Sequence, residues 1–122
     1  MKILLVDDDL DFQEIFKSNL TDEKSLVAVS TVASAIKEIE KDKFDLIVID
    51  WMLPMESGKT LIDWIHNNKD DIRGAKVWIN TSMPVDRIRK YTNGSRLFNK
   101  HIDNVSKAIS EEYLNEGGPC QI

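Results

Sequence analysis

Cysteine occurs once in this chain, as Cys120, so no disulfide can form within it, and a reducing compartment is indicated. Glycine and proline are also few, 5 and 3 of 122 residues, which does not match a low-complexity or disordered composition. No apolar stretch approaches the roughly 20 residues of a membrane span. The short run ILLV is followed directly by DDD, so it cannot serve as a signal peptide. We therefore expect a globular protein of the cytoplasm that does not enter a membrane.

Several local motifs of catalysis and metal binding are also missing. The sequence has no nucleophile elbow, no glycine-rich phosphate loop and no zinc motif. The spacing of Asp7, Asp9 and Asp11 suggests an EF-hand, but the loop lacks its central glycine and has Ser18 where the final glutamate belongs. His66 has no partner at metal-ligand spacing and is expected on the surface. These absences exclude four kinds of site: a nucleophile elbow, a glycine-rich phosphate loop, a zinc site and an EF-hand.

Charge is distributed unevenly along the chain. The net charge is −5, which argues against nucleic-acid binding. Residues 73–100 are the exception, with seven basic side chains and one acidic side chain. This segment is interpreted either as a docking surface for an acidic partner or as a solvated helix face.

Short apolar runs alternate with amphipathic stretches five times. Three of the runs are nearly continuous and rich in β-branched residues, which is typical of strands buried on both faces of a parallel sheet. This alternation predicts a doubly wound α/β domain over residues 1–116, followed by a tail at 117–122. The predicted strands are residues 2–6, 25–30, 45–49, 76–80 and 96–99.

The stretches between the strands predict five helices. The first has the apolar stripe Phe12, Ile15, Phe16 and Leu20, with Asp9 or Asp11 as N-cap. The second, after Ser34, is marked by Ala35, Ile36 and Ile39, and the third, after Gly58, by Leu61, Ile62 and Ile65. The fourth is short, with Pro84 in its first turn, Val85 and Ile88 facing inward, and Gly94 at its end. The fifth is marked by Val105, Ala108 and Ile109, capped by Asp103 and ended near Gly117.

Polar side chains follow the predicted strands at the edge where such folds bind ligands. Carboxylates that end the first and third strands would lie close together, and they could not both stay ionised without a cation. Magnesium, with its oxygen ligands, suits that arrangement and leaves room for phosphate. Asp50 is then the nucleophile for a phosphoryl group, flanked by anion-binding groups. The residues at this edge are Asp7, Asp8 and Asp9, then Asp50, Thr81, Ser82 and Lys100.

Four segments together resemble the receiver domain of two-component response regulators, particularly the chemotaxis type. The resemblance spans about residues 2–115 and implies a flavodoxin-like (βα)5 fold with a five-stranded parallel sheet. The segments are LLVDDD at 4–9, DLIVIDWMLPMESG at 45–58, WINTS at 78–82 and LFNK at 97–100.

The resemblance also implies roles for single residues. Asp50 accepts the phosphoryl group, and Asp8 and Asp50 bind Mg2+ directly, with the main-chain carbonyl of Met52 as a third ligand. Asp7 acts on the metal through water. Lys100 pairs with Asp50 and then with the phosphoryl oxygens, while Thr81 moves to hydrogen-bond the new phosphate.

The implied function is a stand-alone receiver without enzymatic activity beyond its own phosphorylation and dephosphorylation. The resemblance implies a histidine kinase or phosphotransfer protein as donor. It also implies a downstream protein that contacts the fourth helix, fifth strand and fifth helix. Two alternatives remain open: a receiver-fold scaffold whose output is independent of phosphate, and an aspartyl-phosphate phosphohydrolase. The second needs an acid–base Asp two residues after the nucleophile, where Met52 stands instead.

The chain departs from the family pattern on the output side. His101 follows Lys100 where the family has proline, Leu97 replaces an aromatic residue, and the interval from Thr81 to Lys100 is about one helical turn short. We therefore expect a modified route of signalling. Met52 and Met83 are expected to hinder the hydrolytic water and slow autodephosphorylation.

Overall fold

A five-stranded parallel sheet organises the protein. The computed structural model describes residues 1–20, 25–53, 55–92, 94–100 and 103–112. The strands of the sheet are β1 (Lys2–Val6), β2 (Ser25–Val29), β3 (Leu46–Asp50), β6 (Lys76–Thr81) and β7 (Arg96–Asn99), whereas β4 (Met52–Leu53) and β5 (Glu56–Ser57) form a separate hairpin. They lie in the order β2-β1-β3-β6-β7, and every neighbouring pair is parallel. The prediction of a doubly wound, flavodoxin-like fold is confirmed.

Five helices cover the sheet in the described part of the chain. They are α1 (Leu10–Ser18), α2 (Val32–Lys41), α3 (Gly58–Asn67), α4 (Val85–Ile88) and α5 (Val105–Glu112). Two 3-10 turns follow α3 and α4, at Lys69–Ile72 and Arg89–Tyr91. No helix within the described ranges is both long and apolar enough to cross a membrane.

The core forms two layers because successive strand residues face opposite sides of the sheet. Ile3 and Leu5 of β1 pack with α1 and α5, whereas Leu4 and Val6 pack with α2 and α3. All four side chains are at most 1% exposed. Strands buried on both faces explain the nearly continuous apolar runs in the sequence.

Helix capping agrees with the sequence in α1 and differs in α5. The Asp9 carboxylate accepts hydrogen bonds from the N–H groups of Asp11 and Phe12, so the prediction of Asp9 as N-cap is confirmed. In α5 the cap is Asn104, whose Oδ1 accepts from Lys107 N at 3.0 Å. Asp103, the predicted cap, accepts instead from Asn99 N at 2.8 Å. The prediction for Asp103 was wrong because both residues are suitable caps, and the loop after β7 decides between them.

Other boundaries differ by small amounts. Helix α2 begins at Val32 rather than after Ser34, because Thr31 caps it. Helix α1 ends before Leu20, and Ile15, predicted to be buried, is 58% exposed. A hairpin of β4 (Met52–Leu53) and β5 (Glu56–Ser57) was not predicted, because two-residue strands leave no periodic pattern.

The prediction of a short fourth helix is confirmed, but its bounds differ, because Pro84 is the N-cap rather than part of the first turn and the helix ends at Ile88, before Gly94. Helix α4 has four residues, with Pro84 at its N-cap and Ile88 buried beneath it. Gly94 lies beyond the 3-10 turn with a φ of +81°, where glycine is favoured. The predicted end of α5 near Gly117, Cys120 and the tail all lie outside the described residues, as does His101.

Candidate functional site

Four side chains from adjacent strands share one face at the carboxyl edge of the sheet. Asp7 directly follows β1, and Asp50 is the last residue of β3. Asn80 pairs with Asp50 in the register of β3 and β6, and Lys100 directly follows β7. Strand alternation places all four on the side of α1 and α5, which is the side of the buried core residues Leu5, Val48, Trp78 and Phe98.

Lys100 connects the two buried carboxylates. Its ammonium nitrogen lies 2.7 Å from Asp7 Oδ2 and 3.2 Å from Asp50 Oδ2. The side chains of Asp7 and Asp50 are 1% and 6% exposed, and that of Lys100 is 16% exposed. The ammonium also lies 4.7 Å from the ring centre of Phe12. Two buried carboxylates therefore share one cation, and the contact between Asp50 and Lys100 is the one that the family resemblance implied.

Burial dominates the protonation of the two carboxyl groups. It raises the pKa of Asp50 to about 6, the charge of Asp7 adds to this effect, and Lys100 with the N–H of Met52 lowers it. Burial likewise raises the pKa of Asp7 above its ordinary value, despite Lys100 and the N–H of Asp9. For Lys100, burial alone lowers the pKa, but the two carboxylates outweigh burial and the net pKa is raised. Asp7, Asp50 and Lys100 together therefore carry one net negative charge when both carboxyls are ionised.

A third carboxylate completes an acidic cluster. Asp7, Asp8 and Asp50 each offer an oxygen, and these oxygens lie within 4.8 Å of one another. Asp8 is exposed, so the cluster opens to solvent on its side. Oxygen donors at this spacing could hold a metal ion, and they suit a hard divalent ion such as Mg2+. The predicted metal ligands Asp7, Asp8 and Asp50 therefore come together, whereas the role of the Met52 carbonyl stays a prediction.

The backbone near Asp50 and Thr81 is held by short-range hydrogen bonds. Met52 N donates to Asp50 Oδ1 at 3.1 Å, and Met83 N donates to Thr81 Oγ1 at 3.1 Å. Thr81 is fully buried at the end of β6, and its carbonyl accepts from Lys100 N at 2.8 Å. The structure therefore places Thr81 at the end of β6, bonded through its carbonyl to the backbone of Lys100, and the movement of its hydroxyl toward a phosphate stays a prediction.

Gly58 allows the chain to pass close behind Asp50. Its N–H donates to Trp51 O at 2.7 Å. A Cβ at this position would lie 2.5 Å from the main-chain oxygen of Asp50 and 2.8 Å from Trp51 Cα. Because both atoms belong to the backbone, neither can move aside alone, so this position requires glycine.

We expect Gly58→Ala to lower the free energy of unfolding by about 2 kcal/mol, because the strand end must shift to admit the methyl group. Chemical unfolding monitored by circular dichroism measures this change. Thr60→Ala, at an exposed position of the same helix, is the matched control and should stay within about 0.5 kcal/mol. Equal stability of Gly58→Ala and wild type would show that the close approach is not needed.

Sequence reasoning missed three residues around the site. The Gln13 side-chain amide donates to the main-chain oxygen of Asp7 at 2.6 Å and so braces the end of β1. Glu56 accepts from the N–H of Val32 at the start of α2, at 3.0 Å. Asn80 lies in the row of site residues, with its side chain 2% exposed. No local pattern marks these residues: Glu56 and its partner Val32 are 24 positions apart, and the roles of Gln13 and Asn80 depend on how the strand ends pack.

His66, predicted on the surface, is exposed. Trp78 is buried, and Trp64 packs against the core. Phe98 faces α1 and α5, while Leu97 packs on the opposite layer, as strand alternation requires. The peptide bond between Lys100 and His101 extends outside the described residues, so the expected change of loop shape stays a prediction.

Comparison with known proteins agrees with this geometry. The family model of the response regulator receiver domain matches residues 3–113. The uncharacterized protein y4jS of Sinorhizobium fredii is 35% identical over 63 residues, which cover 48% of this chain and 15% of that protein. The chain thus matches only a small part of that relative.

Solved structures share both the fold and, in one case, appreciable sequence. The signal receiver domain assigned to the Luxo repressor protein of Vibrio parahaemolyticus is 31% identical, with a TM-score of 0.74 and 93% and 87% of the two chains covered. The phosphorylated cyanobacterial phytochrome response regulator RcpA is 18% identical, with a TM-score of 0.80 and 96% of each chain covered. TrrA of Thermotoga maritima, solved with Mg(2+)-BeF, is 22% identical, with a TM-score of 0.73 and 90% and 96% covered. The chain is a member of the response regulator receiver domain family.

Proposed function

We propose that Asp50 accepts a phosphoryl group and that this switches the affinity of the protein for a partner. One observation carries the proposal: a buried carboxylate shares a lysine ammonium with a second carboxylate, inside an acidic cluster open to solvent. Receiver domains generally act as phosphoacceptors rather than as enzymes with a separate substrate. The activity proposed here is therefore modification of the protein itself.

The chemistry needs positioning and charge neutralisation more than a general base. An Asp50 oxygen forms a bond to phosphorus while the bond between phosphorus and the donor nitrogen or oxygen breaks. The electron pair stays on the leaving group, which takes a proton from water when it is an imidazole. Lys100 is placed to pair with Asp50 before the transfer and with the negative phosphoryl oxygens after it, and Thr81 can donate a hydrogen bond from its hydroxyl to the same oxygens.

Magnesium is the proposed metal. Asp8 and Asp50 would bind it directly with the Met52 carbonyl, and Asp7 would act through water. When bound, Mg2+ would neutralise charge on the carboxylates and on the phosphoryl oxygens. The Thermotoga maritima relative was solved with Mg(2+)-BeF, and this supports the same ion here. The hard oxygen ligands of Asp7, Asp8 and Asp50 also support it.

The proposed donor is a histidine kinase or a phosphotransfer protein of the cytoplasm, since receiver domains interact with both and with downstream effectors. The proposed output face comprises α4, β7 and α5. Trp51, next to Asp50, stacks on Tyr91 beyond α4 with ring centres 6.4 Å apart. Leu97 of β7 packs against the same core cluster as Trp51. Packed side chains therefore offer a route from Asp50 to the 3-10 turn after α4 and to β7, even without an aromatic residue at position 97.

Incubation with acetyl phosphate and Mg2+ tests the proposal. Intact-protein mass spectrometry should show one added phosphoryl group, with peptide mapping to Asp50. Omitting Mg2+ with EDTA present, or using Asp50→Asn, should leave the mass unchanged. A pull-down with and without beryllofluoride then compares partner binding in the two states. Absence of phosphorylation and of metal binding in folded wild type would refute the proposal.

A receiver-fold scaffold is the second candidate, favoured by Leu97 at the position where the family has an aromatic residue. It predicts the same partner binding with and without beryllofluoride. Partner binding that changes with beryllofluoride in wild type but not in Asp50→Asn would exclude it. The same pull-down therefore decides between the two candidates.

Autodephosphorylation should be slow because two methionines flank the path of the attacking water. Met52 is 54% exposed at the mouth of the site, and Met83 is half-buried beside Thr81. We expect Met52→Asn to speed phosphate loss roughly 3- to 10-fold, because an amide can orient the water. Met55→Asn, at a fully exposed position of the same loop, is the control and should leave the rate unchanged. Equal rates for Met52→Asn and wild type would contradict this role.

A further inference from the structure

The Asn80 side chain is buried without a partner. It is 2% exposed, and neither its amide oxygen nor its amide nitrogen has a hydrogen-bond partner among the described residues. An unpaired buried amide costs about 1–3 kcal/mol compared with an apolar side chain of the same shape. Native proteins rarely leave a buried polar group without a partner, so each such group calls for an explanation. The phosphorylation chemistry described above makes no use of it.

Asn80 lies where the Lys100 side chain crosses the sheet. Strand β6, which contains Asn80, separates β3 from β7. Lys100 follows β7, so its side chain crosses β6 to reach Asp50 and Asp7. Asn80 and Lys100 also line one cavity of about 300 Å3, whose other walls include Phe12 and Phe16. The side chains of Asn80 and Lys100 therefore border a common space.

The ammonium and a metal ion would compete for the same oxygens. Lys100 is held by Asp7 and Asp50, and both belong to the acidic cluster that suits Mg2+. A divalent cation bound there would repel the ammonium and take over part of its carboxylate contacts. A lysine ammonium has three donors, and a largely buried one that loses an acceptor needs another. The amide oxygen of Asn80 is an unused acceptor in the same cavity.

We propose that Asn80 is a positioning residue for Lys100, whose ammonium donates a hydrogen bond to the Asn80 amide oxygen when the carboxylates bind the metal. The inference rests on the proposed function. Asn80 lowers the free energy of the metal-bound state without contacting the metal. It also keeps the ammonium inside the site, ready for the phosphoryl oxygens.

Asn80→Leu tests the proposal because it replaces the amide by an apolar group of similar shape. In the metal-free protein, stability should be equal or higher, since an unpaired polar group is removed. Mg2+ affinity should fall about 10-fold, the effect of losing one hydrogen bond to a charged group. Titration calorimetry or NMR measures the affinity, and urea unfolding in EDTA measures the stability. A residue that only supported packing would lower both quantities together.

A double-mutant cycle with Lys100→Met attributes the effect to the lysine. In the Lys100→Met background, Asn80→Leu should leave Mg2+ affinity unchanged, because no ammonium remains to be held. An equal loss of affinity in both backgrounds, or no loss in either, would overturn the inference. If wild type binds Mg2+ and gains phosphate but Asn80→Leu binds Mg2+ as tightly as wild type, this inference alone is rejected. If wild type neither binds Mg2+ nor gains phosphate, the proposed function is rejected as well.

Discussion

Asp50→Asn is expected to abolish phosphorylation and, in metal-free protein at pH 7.5, to raise the free energy of unfolding by about 1–3 kcal/mol. The physical reason is the burial of a charged group. Burial raises the pKa of Asp50 to about 6, so the folded protein at neutral pH holds this carboxylate in its charged form at a cost. An amide is neutral, can keep the hydrogen bond from Met52 N, and leaves Lys100 paired with Asp7.

The gain in stability of Asp50→Asn over wild type should increase with pH. The unfolded chain releases the Asp50 proton near the ordinary aspartate pKa of 3.8, whereas the folded protein holds it until about 6. Between these values the folded state binds more protons, so wild-type stability falls as pH rises. The difference between Asp50→Asn and wild type should therefore be small at pH 4, grow up to about pH 6 and stay constant above. Carboxyl groups away from the site titrate alike in both proteins and cancel in the difference.

Urea unfolding in EDTA across this pH range measures the effect. Glu40→Gln removes an acidic charge at an exposed position of α2 and should show no comparable gain. A variant Asp50→Asn that is less stable than wild type at pH 7.5 would mean that the Lys100 contact outweighs the burial of Asp50.

Lys100→Met should have the opposite effect, lowering the free energy of unfolding at pH 7.5 by about 3 kcal/mol in metal-free protein. Methionine replaces the apolar part of the side chain but leaves Asp7 and Asp50 buried without the cation they share. Removing one partner of a buried ion pair is far more harmful than removing an exposed pair. Lys107→Met, at an exposed position of α5, is the matched control and should change stability by less than about 0.5 kcal/mol.

Acid and magnesium should both reduce the Lys100→Met deficit. Without the ammonium the pKa values of Asp7 and Asp50 rise further, so both carboxyls become neutral at a higher pH than in wild type and acid removes the unpaired charge. The pKa of Lys100 is itself raised, so its own stabilising contribution is present at neutral pH and is lost only in strongly alkaline solution. Mg2+ supplies positive charge to the same oxygens and should restore part of the stability. A deficit independent of both pH and Mg2+ would show that Lys100 acts through packing instead.

Much of the fold and of the site was predictable because its signals are local. Buried parallel strands require unbroken apolar runs, and these indicated five strands and their order of alternation with helices. The carboxyl ends of parallel strands meet at one edge, so Asp7, Asp50 and Lys100 could be placed together from their positions after the runs. The shortness of α4 also followed from local residues, although its start after Pro84 and its end at Ile88 did not.

The sequence by itself determined the succession of strands and helices in this protein, its acidic strand ends and its lysine. Only the tertiary structure decided which carboxylates share a cation and which have raised pKa values, because desolvation depends on everything packed around a group. It also showed that Asn104 rather than Asp103 caps α5, and that Asn80 lies unpaired beneath the path of Lys100. The contacts of Lys100 join residues from distant parts of the chain, and the cap of α5 is one of two equally suitable neighbours. Packing therefore decides them, and local sequence pattern does not.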